Sequence, residues 1–353
     1  MEKPLLRVAM VGYGYFAQFH LNAWQRLPAV TLQALADAKP DRRIAARESA
    51  PQIELFETMD EMLSSGTFDI LDIATPPPTH FDLVSQALGR VRAIICQKPF
   101  CESLSQAQQL AAAADQSATQ LVVHENFRFQ PWYREICQIL KDGLLGRVVQ
   151  AQFRLRPGDG ASSDAYLDRQ PYFRDMKQFL IRETGVHWID VFRYLFGDPV
   201  AVSADLYQTN PVIAGEDSGT FTFQMADGAR IVFDGNRTLD HVAQNRRLTM
   251  GELLIEGSAA SLHLSGDGVI EIRKLDENTW HPHSFSFEKR DFGGDCVYHL
   301  QEHVVSHLTA STPLENTASL YLKNLELQEL VYRASDEGMK LPVANGEDGR
   351  ERS

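Results

Sequence analysis

The chain has 353 residues, enough for two domains with separate cores, and 34 basic against 47 acidic residues give it a formal net charge of −13. That charge disfavours nucleic acid or an anionic membrane surface as the main partner, and no apolar run approaches the roughly 20 residues of a membrane helix. Glu2, Lys3 and Arg7 interrupt any signal core, and Cys96, Cys101, Cys137 and Cys296 have neither C-x-x-C nor zinc-site spacing, so a cytoplasmic protein without disulfides or metal is expected.

From residue 7 to about 124, short apolar runs alternate with amphipathic helical stretches, the rhythm of a doubly wound parallel sheet. Residues 8–11 read as a buried strand, Gly12-Tyr13-Gly14 as a tight turn, and a helix follows to about Arg26. Gly12, Gly14 and Ala17 fill the small-residue positions of the dinucleotide fingerprint. Gly14 lets a pyrophosphate approach the backbone N–H groups of Tyr15 and Phe16 at the helix N-terminus. A second run, 32–36, ends in Asp37, at the spacing where an acid grips the adenosine ribose and repels a 2′-phosphate, which favours NAD over NADP. A chance acid after an ordinary strand–turn–helix is the plainer alternative. Next come a helix near 41–48, a strand 53–56 and a strand 70–74. Thr75-Pro76-Pro77-Pro78-Thr79-His80 then forms a turn, and a helix runs over 80–88. A strand 93–96, the turn at Lys98-Pro99, a helix 105–118 and a strand 121–124 complete this half, the expected NAD-binding Rossmann domain 1–125.

Beyond Asn126 the rhythm changes. A helix 131–141 ends at Gly143, a strand covers 148–156, 172–179 is irregular, and a helix over 183–196 closes at Gly197. Strands at 202–208, 219–225, 230–234, 247–256, 261–264 and 269–275 suggest a large, mostly antiparallel open sheet. Helices at 298–309 and 314–335 follow, and a polar tail occupies 341–353. The expected fold is α/β: a Rossmann domain, then an α+β substrate and oligomerisation domain, 126–340.

Two constellations can carry chemistry. Lys98 follows an apolar strand and precedes proline, at the strand edge where ligands sit in open α/β sheets, and a lysine there can stabilise an alkoxide. A surface lysine in a turn is the alternative. In Glu183-Thr184-Gly185-Val186-His187, helical spacing would put acid and imidazole on one face, so that Glu183 orients His187 as a general base. A structural histidine is the alternative. Asn126 and Arg128, near the cleft mouth, are candidate contacts to cofactor or sugar, and Arg156, Arg169 and Tyr172 are candidate substrate contacts, with salt bridges the competing role for the arginines. His299, His303 and His307 share a helix face, but without H-E-x-x-H they read as surface or interface, as do His281 and His283.

Taken together, V-G-Y-G-Y-F-A, T-P-P-P-T-H, C-Q-K-P and E-T-G-V-H-W-I-D, with G-S-A-A at 257–260 and the closing helix, resemble the glucose–fructose oxidoreductase/inositol dehydrogenase (Gfo/Idh/MocA) family over nearly the whole chain. The resemblance implies NAD(P)-dependent oxidation of sugars or polyols. Lys98 would match the lysine of E-K-P, often before a cis proline, and His187 the histidine of D-x-x-x-H. Thr75, Pro76, Pro77 and His80 would stand on the nicotinamide side. Gln97 departs from the family's glutamate beside the cofactor, and Glu183 replaces its aspartate. C-Q-K-P-F with H-E-N-F-R-F is similar to a branch containing D-apiose dehydrogenases, which implies oxidation of an anomeric carbon to a lactone.

The leading expectation is a sugar dehydrogenase with a small-molecule substrate. Alternatives are a sugar-modifying enzyme that retains NAD(H) and acts by transient oxidation, or a non-catalytic NAD and sugar sensor. A homodimer or homotetramer is expected from the family's open sheet, with Tyr207, Phe221, Phe223, Ile231 and Phe233 as the apolar face.

Overall fold

The computed structural model describes residues 4–168, 170–290 and 292–344, so Arg169 lies outside the described residues. In chain order, the first elements are β1 (Leu6–Val11), α1 (Ala17–Arg26), β2 (Val30–Ala36), α2 (Pro40–Ser49), β3 (Glu54–Phe56), α3 (Met59–Ser65), β4 (Ile70–Ile73), α4 (His80–Ala87), β5 (Ala93–Gln97), α5 (Leu104–Asp115) and β6 (Gln120–His124). Their strands pair in parallel in the order β3-β2-β1-β4-β5-β6. β1, β4 and β5 are the near-continuous apolar runs that a sheet covered on both faces requires. The order reverses between β1 and β4, the switch point at which doubly wound sheets hold ligands beyond their strand C-termini. α3, which no sequence pattern above marks, starts at a Thr58–Glu61 capping box.

The chain continues through α6 (Pro131–Lys141), β7 (Val148–Leu155), a 3-10 turn (Pro171–Asp175), a π-helical segment (Leu180–Gly185) and α7 (Val186–Phe196). Seven strands follow: β8 (Ala201–Tyr207), β9 (Ser218–Gln224), β10 (Arg230–Asn236), β11 (Gly251–Gly257), β12 (Ala260–Leu264), β13 (Ile270–Lys274) and β14 (His281–Pro282). Last are α8 (Cys296–Ala310), α9 (Ala318–Glu337) and β15 (Leu341–Pro342). The second sheet has nine strands in the order β14-β13-β12-β11-β7-β10-β9-β8-β15. Only β7 and β10 pair in parallel; every other neighbouring pair is antiparallel.

Several expectations are corrected. The 247–256 strand begins only at Gly251. Part of the presumed tail is ordered: Leu341 and Pro342 pair with β8, and Leu341 and Val343 are buried; residues 345–353 lie outside the described residues. The alternating face carrying Phe221, Phe223, Ile231 and Phe233 is not an open oligomerisation face. Those side chains are wholly buried in the core of their own unit, with Phe192 of α7 edge-on to Phe221 and Phe223 and with Trp188 against Phe233. Alternation announces a buried side but not what covers it, and here the cover is helical. Tyr207 alone of the five is exposed.

The chain divides into two compact units, one of Met1–Asn126 with Asp295–Leu325, the other of Phe127–Gly294 with Glu326–Ser353. Asp295–Leu325, expected in the second domain, therefore packs with the first. Asp295 takes both guanidinium ends of Arg26, at 2.7 and 2.6 Å, and a bridge joins Val122 to Thr317. Among the described residues, no helix is long and apolar enough to cross a membrane.

Candidate active site

In the first unit the glycine turn is fixed from both sides. Gly12 has φ +91°, and a Cβ there would fall 2.8 Å from Thr75 Cγ2 and 2.9 Å from the Ala74 carbonyl oxygen, so only glycine fits. At Gly14 a Cβ would meet nothing nearer than Arg42 Nη1 at 3.8 Å, which leaves the open approach a pyrophosphate needs. Among the described residues no side chain caps the N-terminus of α1, which begins three residues after Gly14. Tyr15 is half exposed at this corner, and Ala17 is buried where the helix meets the sheet. Asp37, at the end of β2, accepts the Tyr13 backbone N–H at 2.7 Å and the Lys39 N–H at 2.8 Å, tying the acid to the glycine turn. Arg42 Nη1 lies 3.8 Å from its carboxylate, a basic neighbour that reading the immediately following residues misses. Asn126 is buried, and its Nδ2 finds no partner among the described residues. Buried amides are costly to leave unmatched, so this donor suits a polar group of a ligand. Open glycine backbone, a helix start without a side-chain cap, a strand-end acid and an orphaned amide together fit a dinucleotide.

The turn after β4 is braced by Thr75 Oγ1 against Thr79 Oγ1 at 2.7 Å and by Thr79 donating to the Pro76 carbonyl at 2.8 Å. Two residues expected at the cofactor have hydrogen-bond partners within their own unit. His80 is wholly buried, with Nε2 2.8 Å from the Thr75 carbonyl and Nδ1 3.1 Å from those of Pro99 and Phe100, so it clasps the proline turn to the Lys98 turn. Burial lowers its pKa from the usual 6.5, against the pull of those carbonyls. Gln97 uses its amide on His20 and on the Lys98 N–H. Lys98 itself directly follows β5, whose neighbours in the sheet are β4 and β6, and the Lys98–Pro99 peptide is cis.

In the second unit, Glu183 belongs to the π-helical segment and His187 to the first turn of α7. The single α-helix expected from Glu183 therefore starts only at Val186, and α-helical i, i+4 spacing does not describe the pair. The wider i→i+5 turn changes which side chains share a face, a feature frequent at functional sites. Both residues are buried, and the His187 ring lies flat on Phe127. Arg237, also buried, donates to Thr184 Oγ1 at 2.6 Å and to Asp159 at 2.7 Å, bracing the π segment; nothing in the neighbouring residues marks it for this role.

Other expected substrate contacts are engaged in structure. Arg128 forms a bidentate pair with Asp190 at 2.8 and 2.6 Å, and Arg156 pairs with Asp234 at 2.7 Å. In the first pair a buried carboxylate demands the cation. Tyr172 is exposed, edge-on to Phe173. His307 Nδ1 faces the Thr312 carbonyl and His303 Nε2 accepts the Glu315 N–H, so these two α8 histidines serve the following loop, while His299 faces Glu302 on its own helix. No group of three potential metal ligands occurs among the described residues. All four cysteines are buried and none is in a disulfide among the described residues, and burial pushes the Cys101 thiol up to about 12.

Comparison with known proteins assigns the family and the fold. Residues 6–125 match the oxidoreductase family, NAD-binding Rossmann fold model (GFO_IDH_MocA), and residues 133–262 match the GFO/IDH/MocA C-terminal domain. A D-apiose dehydrogenase of Paraburkholderia graminis is 31% identical over 94% of this chain and 88% of its own. One from Rhizobium rhizogenes is 26% identical over 97% of this chain and 99% of its own. Among solved structures, an oxidoreductase from Agrobacterium radiobacter in complex with NAD+, L-tartaric acid and magnesium superposes with a TM-score of 0.84 at 26% identity, covering 96% of this chain and 98% of that one.

Proposed function

The chain belongs to the Gfo/Idh/MocA family of NAD-binding oxidoreductases, and from that membership we propose that it is an NAD-dependent dehydrogenase of a sugar. The observation that carries this reading is its likeness, over nearly the full length of both chains, to two dehydrogenases named for one sugar. The substrate proposed is D-apiose or another aldose in its cyclic form. Loss of a hydride from the anomeric carbon and of the proton from its hydroxyl converts the lactol to a lactone.

Gly12, Gly14, the N–H groups of Tyr15 and Phe16, and Asp37 would hold the dinucleotide, with Thr75, Pro76, Pro77 and Asn126 on its reactive side. When bound, NAD supplies the hydride acceptor. His187 takes the hydroxyl proton as general base, and Glu183 steadies the imidazole. Lys98 donates to the same oxygen and stabilises the negative charge that grows there, an interaction stronger in the transition state than in the bound substrate. In support, Lys98 follows the parallel strand β5, one strand beyond the switch point, and His187 lies against an aromatic ring on a buried helix turn.

The test is NADH absorbance with purified protein, NAD or NADP, and a panel of aldoses and polyols that includes D-apiose. Turnover with NAD on one aldose, lost in Lys98→Ala and in His187→Ala while both variants still bind NAD, is the expected result. Unchanged turnover in both variants would overturn the assignment of the pair. Activity that needs no added NAD would favour a retained cofactor and transient oxidation.

A further inference from the structure

Behind Lys98 runs a chain of buried polar side chains that the chemistry above does not use. Asp72 on β4 is fully buried; its Oδ2 accepts Trp24 Nε1–H at 2.7 Å and faces His20 Nδ1 at 2.9 Å. On the far side of the same imidazole, His20 Nε2 lies 3.1 Å from Gln97 Nε2. Gln97 Oε1 in turn accepts the backbone N–H of Lys98 at 2.7 Å. The His124 ring of β6 lies tilted against His20 with centroids 4.1 Å apart, and Gln301 of α8 donates to the His20 carbonyl and towards Asp72. Cys96 of β5 lies close enough to Asp72 to feel its charge, and its thiol is pushed up by burial.

Proton positions along this chain follow from its one fixed end. The Lys98 N–H can only donate, so Gln97 must turn its oxygen to Lys98 and its NH2 to His20. His20 Nε2 must then accept, which leaves the ring proton on Nδ1, donated to Asp72. The chain therefore holds one carboxylate and one ring proton, all in one sense.

We propose that Asp72, His20 and Gln97 are a positioning relay that orients the Lys98 backbone, wired for a single buried carboxylate. Gln97 is then the matched partner of Asp72: an acid at position 97, as in the E-K-P motif, would place carboxylates on both sides of one imidazole. Such a chain closes only by taking up one further proton, on His20 or on the new acid. Moving the carboxylate to position 97 while removing it from 72 restores the count. In that arrangement an amide at position 72 would donate to Nδ1, and His20 would donate from Nε2 to the acid at position 97. The same acid would still accept the Lys98 N–H. The proposal rests on Lys98 acting on the substrate, as read above.

The experiment compares Gln97→Glu, Asp72→Asn, the Asp72→Asn/Gln97→Glu pair, Gln97→Met and Lys98→Ala. Each is followed by Tm and by kcat and KM from about pH 6 to about pH 9. Gln97→Glu is expected to lower kcat roughly tenfold with a smaller change in KM, and to lower Tm, both deficits growing as pH rises because the extra proton is lost. Gln97→Met, which breaks the relay without adding charge, should lower kcat with no new pH slope. The double variant should recover most of the Tm and kcat and return to the parental slope. A double variant whose deficits sum, or a Gln97→Glu profile parallel to the parent, overturns the charge matching. If Asp72→Asn does not fold, the slope of Gln97→Glu against that of Gln97→Met decides alone. Unchanged kcat in Gln97→Met overturns the positioning role. Tm is read without substrate, so unchanged turnover in Lys98→Ala would sink the functional reading while leaving the charge test intact.

Discussion

His187 and Phe127 lie face to face, ring centroids 3.7 Å apart and planes 2° from parallel. Trp188 closes edge-on to the same phenylalanine at 5.2 Å. A stack of this kind contributes about 0.5–1.5 kcal/mol beyond buried area, and it fixes the plane in which the imidazole can turn. Phe127→Leu should therefore lower kcat roughly 2- to 10-fold, by that same energy, with less effect on KM. Steady-state kinetics check this, with Tm as the control for folding.

Asp37, proposed above to hold the adenosine ribose, ties the glycine turn to the start of α2 through hydrogen bonds from the Tyr13 and Lys39 N–H groups. Hydrogen bonds to a charged group are worth about 1.5–3 kcal/mol. Asp37→Ala should weaken NAD binding roughly 10-fold or more on that scale. It should weaken NADP binding less, since the repelling carboxylate is gone while Arg42 stays. Calorimetric titration with each dinucleotide reads the ratio; an unchanged ratio would refute the ribose assignment.

Arg128 and Asp190 predict a stability effect rather than a catalytic one. Asp190 is fully buried, and breaking a buried pair by removing one partner costs about 3–5 kcal/mol. Arg128→Met should show that loss in urea denaturation, and Arg128→Met/Asp190→Leu should recover much of it. A fall in kcat/KM at unchanged stability would instead return Arg128 to the substrate.

His80 gives the protein an acid-side weakness. Its folded pKa lies below the unfolded value, so above about pH 6.5 both states are neutral there and no stability is lost. As pH falls below 6.5 the unfolded chain takes up the proton first, and stability declines until the folded pKa is passed. His80→Gln should flatten the fall of Tm between neutral and mildly acidic pH, whatever its Tm at neutrality. A parental slope in that variant would assign the acid sensitivity elsewhere.

What can be read from the residues alone is what is local. Gly12, Gly14 and Asp37 announce themselves because a tight turn, a close approach and a strand-end acid each demand a residue type at a fixed offset. Glu183 and His187 are legible by motif, but their geometry is not: a π turn inserted before Val186 has no compositional mark. His80 and Gln97 are legible as a turn residue and a strand-end residue, whereas their partners, the Pro99 carbonyl and the His20 ring, are distant in sequence. The same distance hides the Arg26–Asp295 pair and the covering of Phe221 and Phe233 by α7.

The chain enters the first unit twice, and this bears on how the molecule can be cut or recombined. A fragment ending at Asn126 would lack Asp295, leave the Val122 bridge unmade and remove the Asn316 amide that donates to the Glu125 carbonyl at 2.8 Å. It would also expose the faces of α1 and β6 that the returning segment covers. A single exchange point in the coding sequence therefore cannot transplant the nucleotide-binding half onto another substrate half. Any hybrid must carry Asp295–Leu325 along with its own Rossmann sheet, which couples the inheritance of two stretches separated by the whole of β7 to β14.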